Sequence, residues 1–317
     1  MKIIITGALG HIGSRVVREL PKVFPNPEII MIDNLLTQRY TSLFNLPANA
    51  HYRFYESDIL STELKLIFEG ADAVLHLAAI TDATSSFQNR EQVESVNYDG
   101  TVRVAETCKE VGCPMIHLSS TSIYGTQNEL VDEDCSYEDL NPQSPYAETK
   151  LKEENFLRSF GSDEAFQFVI FRFGTICGTS PGMRFHTAVN KFCWQAVMGI
   201  PLTVWETAYD QKRPYLDLID AIRVMEFFLK SDKFDGRVYN VVTLNATVRE
   251  VIDSIKTFIP DLKVDFVDSR IMNQLSYEVL NTRLDEQGFI FKGDLEQGIK
   301  DTISLLQNAA TLNSTTI

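Results

Sequence analysis

Cationic side chains are scarce in this chain: 29 Lys and Arg stand against 43 Asp and Glu, a formal net charge of −14. Binding along a nucleic-acid backbone needs clustered cations, so nucleic acid is not an expected partner. A small phosphate-bearing molecule remains open, because a few well-placed donors suffice for it. Cysteine is sparse as well. The five (Cys108, Cys113, Cys135, Cys177 and Cys193) form no CxxC pair and are odd in number. That pattern argues against a disulfide framework and for a reducing, cytoplasmic location. No apolar run approaches the roughly 20 residues of a membrane span. The apolar run Ile3-Ile4-Ile5 at the start leaves no room for a signal peptide, so neither membrane nor export is expected. The five histidines are scattered without an HExxH or comparable spacing, and no metal site is expected.

What the chain has instead is alternation. Short strand-like runs, most of them apolar nearly throughout, occur at Lys2–Thr6, Glu28–Asp33, 51–58, 73–79, Met115–Ser120 and Phe168–Phe173. Strands buried on both faces read this way. Helical patterns lie between several of them, such as Ile12, Val16, Val17 and Leu20, and later 93–111. The alternation predicts an α/β fold, a Rossmann-type doubly wound parallel sheet. Beyond Phe173 the pattern shifts to a smaller α/β lobe, with helices expected at 185–198, 218–229, Val248–Phe258 and Leu295–Leu306. Strands are expected there at Leu202–Trp205, 238–242 and 263–267. The division expected is 1–173 for the dinucleotide domain, with returns to its sheet at about 213–242, and 174–317 for the lobe. The polar segment 308–317 is expected to fray.

Thr6-Gly7-Ala8-Leu9-Gly10-His11-Ile12-Gly13 falls between the first strand and the first helix. Gly7 suits a tight turn, Gly10 lets backbone approach a pyrophosphate, and Gly13 lets helix pack closely on strand. The helix start presents free N–H groups and partial positive charge to phosphate. His11 reads as a solvent-facing filler in this turn. Asp33 lies 20 residues beyond Gly13 at the end of the second strand. A carboxylate there accepts from an adenine ribose and repels a 2′-phosphate, so the expected cofactor is NAD rather than NADP.

Ser144-Pro145 is a strong helix start, and Tyr146 and Lys150 share a face of that helix. A Tyr of pKa about 10 acting as a base near pH 7 needs a shift of about three units, about 4 kcal/mol. A neighbouring ammonium supplies about 1–3 units, and a positive nicotinamide ring adds to it. A hydroxyl to orient the reacting oxygen is available in 118–125, at the end of the fifth strand, where α/β sheets place ligands.

Together these segments resemble the NAD-dependent sugar epimerase/dehydratase family of extended short-chain dehydrogenases/reductases. The matching segments are TGALGHIG, DNL from Asp33, HLAA from His76, NYDGT from Asn97, SSTSIYG, SPYAETK, FRFGTICG from Phe171, RPYLDLID from Arg213 and VYNV from Val238. The resemblance implies Ser120 as the catalytic hydroxyl, Tyr146 as the base and Lys150 as its electrostatic partner, the last two also touching cofactor. It places the cofactor against Gly7, Gly10, His11, Ile12 and Gly13, against Asp33, Asn34 and Leu35, and against Asp58 and Ile59 at the adenine. Leu77, Ala78, Ala79 and Asn97 complete that set. A homodimer through helices 91–111 and 147–160 is implied as well.

The substrate implied is a nucleotide-diphosphate sugar. Sugar 4,6-dehydratases of the family carry an Asp-Glu pair after the catalytic hydroxyl; this chain has Thr121 and Ser122, which cannot serve as carboxylic acid and base. Epimerisation at C4 through a transient 4-keto sugar is therefore the first expectation. A C4 dehydrogenase or 4-keto reductase, which needs the same residues, is the second, and a non-catalytic NAD sensor the third. The loop 179–185 resembles that of heptose-nucleotide 4-dehydrogenases. Asp217 stands where the family usually has His, and the family's late Arg has no clear counterpart in 270–280. Arg184 and Arg213 are the diphosphate candidates, and Asn190 is placed at the sugar-nucleotide linkage. Thr81, Thr121 and Thr175 are further substrate candidates, and strand Leu202–Trp205 is a candidate for the base, with Trp205 packing.

Overall fold

A computed structural model describes residues 1–125, 130–160, 166–268 and 276–309. The segment 310–317, most of the tail expected to fray, lies outside them, as does 269–275.

Seven parallel strands form the main sheet. Their spatial order is Asp235–Val241, Phe168–Phe173, Met115–Ser120, Ala73–His76, Lys2–Thr6, Glu28–Asp33 and His51–Glu56. The first three in sequence run outward from Lys2–Thr6 on one side, and the fourth starts the other side. The direction of winding thus reverses between Lys2–Thr6 and Ala73–His76, which opens a crevice at their carboxyl ends. The inner strands are buried because their residues are apolar on both faces, Ile3, Ile4 and Ile5 being fully covered, whereas the edge strand His51–Glu56 is partly exposed. Helix His11–Val23 packs with Leu218–Ser231 on one face. Gly100–Val111 and Pro145–Arg158 pack together on the chain.

The expected helix at 93–111 is interrupted. Residues Ser95–Asp99 form a wide π-type turn between helices Arg90–Glu94 and Gly100–Val111. Such single wide turns re-aim a side chain. Here Asn97 is turned fully inward, accepting from the Ile80 amide at 2.8 Å and donating to the Ile80 carbonyl at 2.9 Å.

The second lobe holds a three-stranded sheet ordered Leu244–Thr247, Lys212–Asp217, Thr175–Cys177, and a pair of Val264–Val267 with Leu202–Trp205. Helices Ala188–Val197, Val248–Phe258 and Leu295–Leu306 close over a core that includes Phe192, Val251 and Ile299. Among the described residues beyond Phe173, only Asp235–Val241 returns to the main sheet; Lys212–Asp217 pairs in the three-stranded sheet. Thr247 caps Val248–Phe258 in a reciprocal box with Glu250, which fixes that helix's start. The short pair Leu130–Val131 with Glu278–Val279 ties the first half of the chain to the lobe. No helix of the described residues is long and apolar enough to cross a membrane.

Candidate active site

One cavity of about 490 Å³ runs along the crevice, a size within the range of small-molecule sites. Gly7, Gly10, His11, Ile12 and Gly13 line it at one end, with Asp33, Asn34, Asp58 and Ile59. Ser120, Tyr146 and Lys150 line it further along, with Thr81, Thr121, Thr175, Arg184 and Arg213. Leu77, Ala78 and Ala79 run between.

At Gly7 the backbone has φ +66°, and a Cβ would stand 2.7 Å from backbone atoms of Leu77 and Ala78. Only glycine fits, because both the left-handed turn and the close approach forbid a side chain. The helix that follows starts with Gly10 as its cap, and no side chain satisfies its first amides. Those N–H groups have no intrahelical carbonyl either, so the turn suits a pyrophosphate. Asp33 accepts from the Leu9 amide at 3.0 Å and the Leu35 amide at 2.9 Å, bracing the turn from below while it lines the cavity. Asp58 is held by Asn34 at 3.0 Å and by the Leu60 amide at 2.9 Å. These features fit a dinucleotide with a free adenine ribose. Arg39, which the sequence did not single out, also lines this end. Burial first, then the Arg184 charge, lowers its pKa to about 10, and Asp33 opposes them; Arg39 is still a cation at neutral pH.

Tyr146 and Lys150 follow from the capped start of Pro145–Arg158, where the Ser144 hydroxyl accepts from the Ala147 amide at 3.2 Å. Ser120 ends strand Met115–Ser120 and accepts from the Ser122 amide at 3.1 Å and from its hydroxyl at 2.9 Å. The Ser120 side chain is close enough to Tyr146 to lower the pKa of its phenol. Lys150 donates to the Leu118 carbonyl at 2.9 Å and to Glu153 at 2.8 Å. The three groups named from sequence therefore meet on one wall.

Several groups set the acidity of Tyr146 in the protein without cofactor. Burial raises its pKa, and although Lys150, Ser120 and Arg184 lower it, the Glu153 carboxylate offsets part of the Lys150 effect. The phenol of the protein alone is thus protonated, and the ammonium alone does not supply the three units.

Beneath this wall lies a second network. Glu154 receives Arg172 through two parallel contacts, 3.0 and 2.8 Å, and the Ser119 hydroxyl. Arg172 also donates to the Tyr124 hydroxyl at 2.7 Å, which donates in turn to Asn240 at 2.9 Å. The pair is completely buried and fixes the strand end from which Ser120 projects.

Several expected contacts fall elsewhere. His11 is no solvent-facing filler: it is buried, and its Nε2 donates to the Gly178 carbonyl at 2.8 Å. Ser180 donates to the His11 carbonyl at 2.8 Å, and the Gly182 amide donates to the Ser14 hydroxyl at 3.0 Å. A Cβ at Gly182 would stand 2.2 Å from the Leu9 carbonyl oxygen, so the loop sits directly on the glycine turn. Leu35 is buried behind Asp33 and Asn97 behind Ile80, and neither forms the cavity wall. Asn190 is also outside that wall; buried, it donates to the Arg184 carbonyl at 3.1 Å and thereby shapes the loop. Strand Leu202–Trp205 pairs with Val264–Val267 and contributes nothing to the wall. Arg184 donates to the Thr81 hydroxyl, and Arg213 to Gln211 at 2.6 Å. Thr121 gives its hydroxyl to the Phe173 carbonyl at 3.3 Å. Asp217, in the place of the family's usual His, caps helix Leu218–Ser231 instead of facing the cavity.

The His11 contact has a pH consequence. Burial, with the nearby Arg39 and Arg184 charges, lowers its pKa to about 4, against the Gly178 bond that raises it. The unfolded chain therefore binds a proton between about 6.5 and 4 that the folded one does not, so stability rises with pH across this window. It is fully present above 6.5 and is lost as pH falls toward 4. His76 and His117, both buried and both lowered chiefly by burial, act with the same sign. The urea midpoint is expected to drop between pH 7 and 4, less so in His11→Gln; a flat midpoint would contradict this.

A model of the NAD dependent epimerase/dehydratase family matches residues 3–241. The chain belongs to this family. Across 95% of the chain, 29% of residues are identical to the trifunctional UDP-glucose 4,6-dehydratase/UDP-4-keto-6-deoxy-D-glucose 3,5-epimerase/UDP-4-keto-L-rhamnose-reductase RHM1 of Arabidopsis thaliana. The alignment covers 46% of that protein, so the chain spans about half the length of this relative and of two others from the same plant. The uncharacterized UDP-glucose epimerase YtcB of Bacillus subtilis is 28% identical over 90% of the chain and 89% of its own length. Among solved structures, UDP-glucuronic acid 4-epimerase from Bacillus cereus, in complex with UDP-glucuronic acid and NAD, superposes with a TM-score of 0.85. It is 26% identical, with 98% of this chain and 100% of that one covered. The family is NAD dependent by its description, and the Bacillus cereus epimerase was solved with NAD.

Proposed function

We propose that the chain is an NAD-dependent nucleotide-sugar 4-epimerase acting through a transient 4-keto sugar. The observation that carries this reading is the convergence of Ser120, Tyr146 and Lys150 in the same cavity as the glycine turn. NAD held there would supply the hydride acceptor, and later donor, for the sugar carbon. Ser120 orients the C4 hydroxyl, Tyr146 takes its proton and later gives it back, and Lys150 favours the ionised phenol. Thr121 and Ser122 offer no carboxylic acid to expel water, which supports epimerisation over dehydration. Arg184 and Arg213, on the lobe side of the cavity, suit a diphosphate. The tie between loop 178–184 and the glycine turn supports a cofactor that stays bound between half-reactions. The likeness of loop 179–185 to heptose-nucleotide 4-dehydrogenases favours the second reading, net oxidation or reduction at C4. A homodimer, tested by sedimentation at twice the chain mass, and a cytoplasmic location, in keeping with five free thiols, belong to the same proposal.

A panel of UDP-, GDP-, CDP- and dTDP-sugars, with product NMR and absorbance in the NADH band, separates the readings. An epimer formed without added cofactor and without net NADH is expected. Stoichiometric NADH accumulation would instead establish the dehydrogenase.

A further inference from the structure

Lys150 is 4% exposed, a position in which burial alone would favour a neutral amine. Two carboxylates follow it on the same helix. Glu154 is committed to Arg172 through both oxygens, so its charge is already matched. Glu153, fully buried, has no guanidinium; its Oε2 lies 2.8 Å from the Lys150 ammonium. The other carboxylates of the cavity wall, Asp33 and Asp58, stand at the adenine end. We propose that Glu153 is a positioning residue, the counterion that keeps the Lys150 ammonium charged and seated beside Tyr146.

The seat has two anchors. Glu153 and the Leu118 carbonyl take two of the three ammonium N–H bonds. The third is left for the cavity that Lys150 lines. Both anchors are rigid, one on the helix a turn away and the other on strand Met115–Ser120. One ring on a neighbouring element shares the Glu153 oxygen with Lys150. His117 on that strand approaches Oε2 to 3.0 Å, too obliquely for a well-aligned hydrogen bond. Burial keeps it neutral, and it keeps neutral the His76 ring stacked on it at 5.8 Å. Burial disfavours the Lys150 ammonium, but Glu153, Tyr146 and Glu154 together outweigh it and hold its pKa above the usual lysine value. Against its burial, the Lys150 charge first and His117 after it hold the Glu153 pKa at about 2.

The sequence pattern explains why this arrangement is local. A carboxylate three residues after Lys150 lies on its face of the helix, and that face is turned into the sheet. The consequence for the reaction rests on the reading of Tyr146 as the base: without Glu153, alkaline pH would discharge Lys150 and Tyr146 would lose its cation.

The test reads ionisation directly and needs no substrate, so it stands apart from the epimerase reading. The full chain labelled with [ε-13C]lysine is followed by carbon NMR from pH 7 to 11.5, the Lys150 resonance being assigned by its absence in Lys150→Met. In the wild type it is expected to hold the ammonium position past the ordinary lysine value of about 10.4. In Glu153→Gln its midpoint is expected to fall by about 1–3 pH units, and Glu153→Asp to restore most of the shift. Equal midpoints in wild type and Glu153→Gln would overturn the proposal. So would a wild-type Lys150 that titrates below about 10, an outcome that requires no variant to fold.

Discussion

Tyr146→Phe is expected to lower turnover by about 10²–10⁴-fold, the usual worth of a positioned acid–base group. NAD binding should change by no more than a few fold. The two effects separate because the ring and the hydroxyl do different work. The ring lines the cavity and stays in the variant, whereas the hydroxyl is the only group lost. Gly7, Gly10, Gly13, Asp33 and Asp58, where the cofactor phosphates and adenine are proposed to sit, line the other end, which the substitution does not touch. Rate measurement with an accepted sugar, beside calorimetric NAD titration, checks both halves. Turnover within tenfold of wild type would remove Tyr146 from the chemistry, and lost NAD binding would show a structural effect instead.

Glu154→Ala is expected to cost about 3–5 kcal/mol of stability, because it strands a buried guanidinium. Arg172 is 2% exposed and has no other carboxylate partner among the described residues. Its remaining bond, to Tyr124, is to a neutral phenol that burial keeps protonated. Replacing both partners, as in Glu154→Leu with Arg172→Met, removes the unmatched charge and should recover most of the loss. Urea unfolding of the single and double variants forms the cycle. A single variant costing under about 1 kcal/mol would show that water reaches the guanidinium, contrary to this packing. The single variant should also slow turnover, since Glu154 holds Ser119 and, through the strand, the position of Ser120.

The cofactor end was legible in the sequence because its signals are local. Gly7, Gly13 and the strand carrying Asp33 follow one another within a single βαβ unit, and spacing alone puts them together. Tyr146 and Lys150 were legible for the same reason, one helical turn apart. The unseen contacts join residues far apart in the chain. His11 was misread because its partner, Gly178, is 167 residues away. Asn97, placed at the cofactor by the resemblance, points at Ile80 through a wide turn that nothing in an amphipathic pattern announces. Asn190 looked like a ligand residue and proved to hold the backbone of Arg184. Arg39 sits six residues past Asp33 in a loop without periodicity, so only the fold brings it to the cavity. Glu153 is the instructive case: its spacing from Lys150 was visible, but whether that helix face is wet or buried was not. On an exposed helix the pair would count for little.

Epimerisation requires that the hydrogen taken from C4 return to C4 on the opposite face. The most direct measurement uses a sugar nucleotide that the panel shows to be turned over, carrying deuterium at C4, incubated with the protein in ordinary water and analysed by NMR. Full retention of deuterium at C4 of the inverted product, with none in free NADH, is the expected result. Washout of the label to solvent, or its accumulation in released NADH, would contradict hydride return within one cavity.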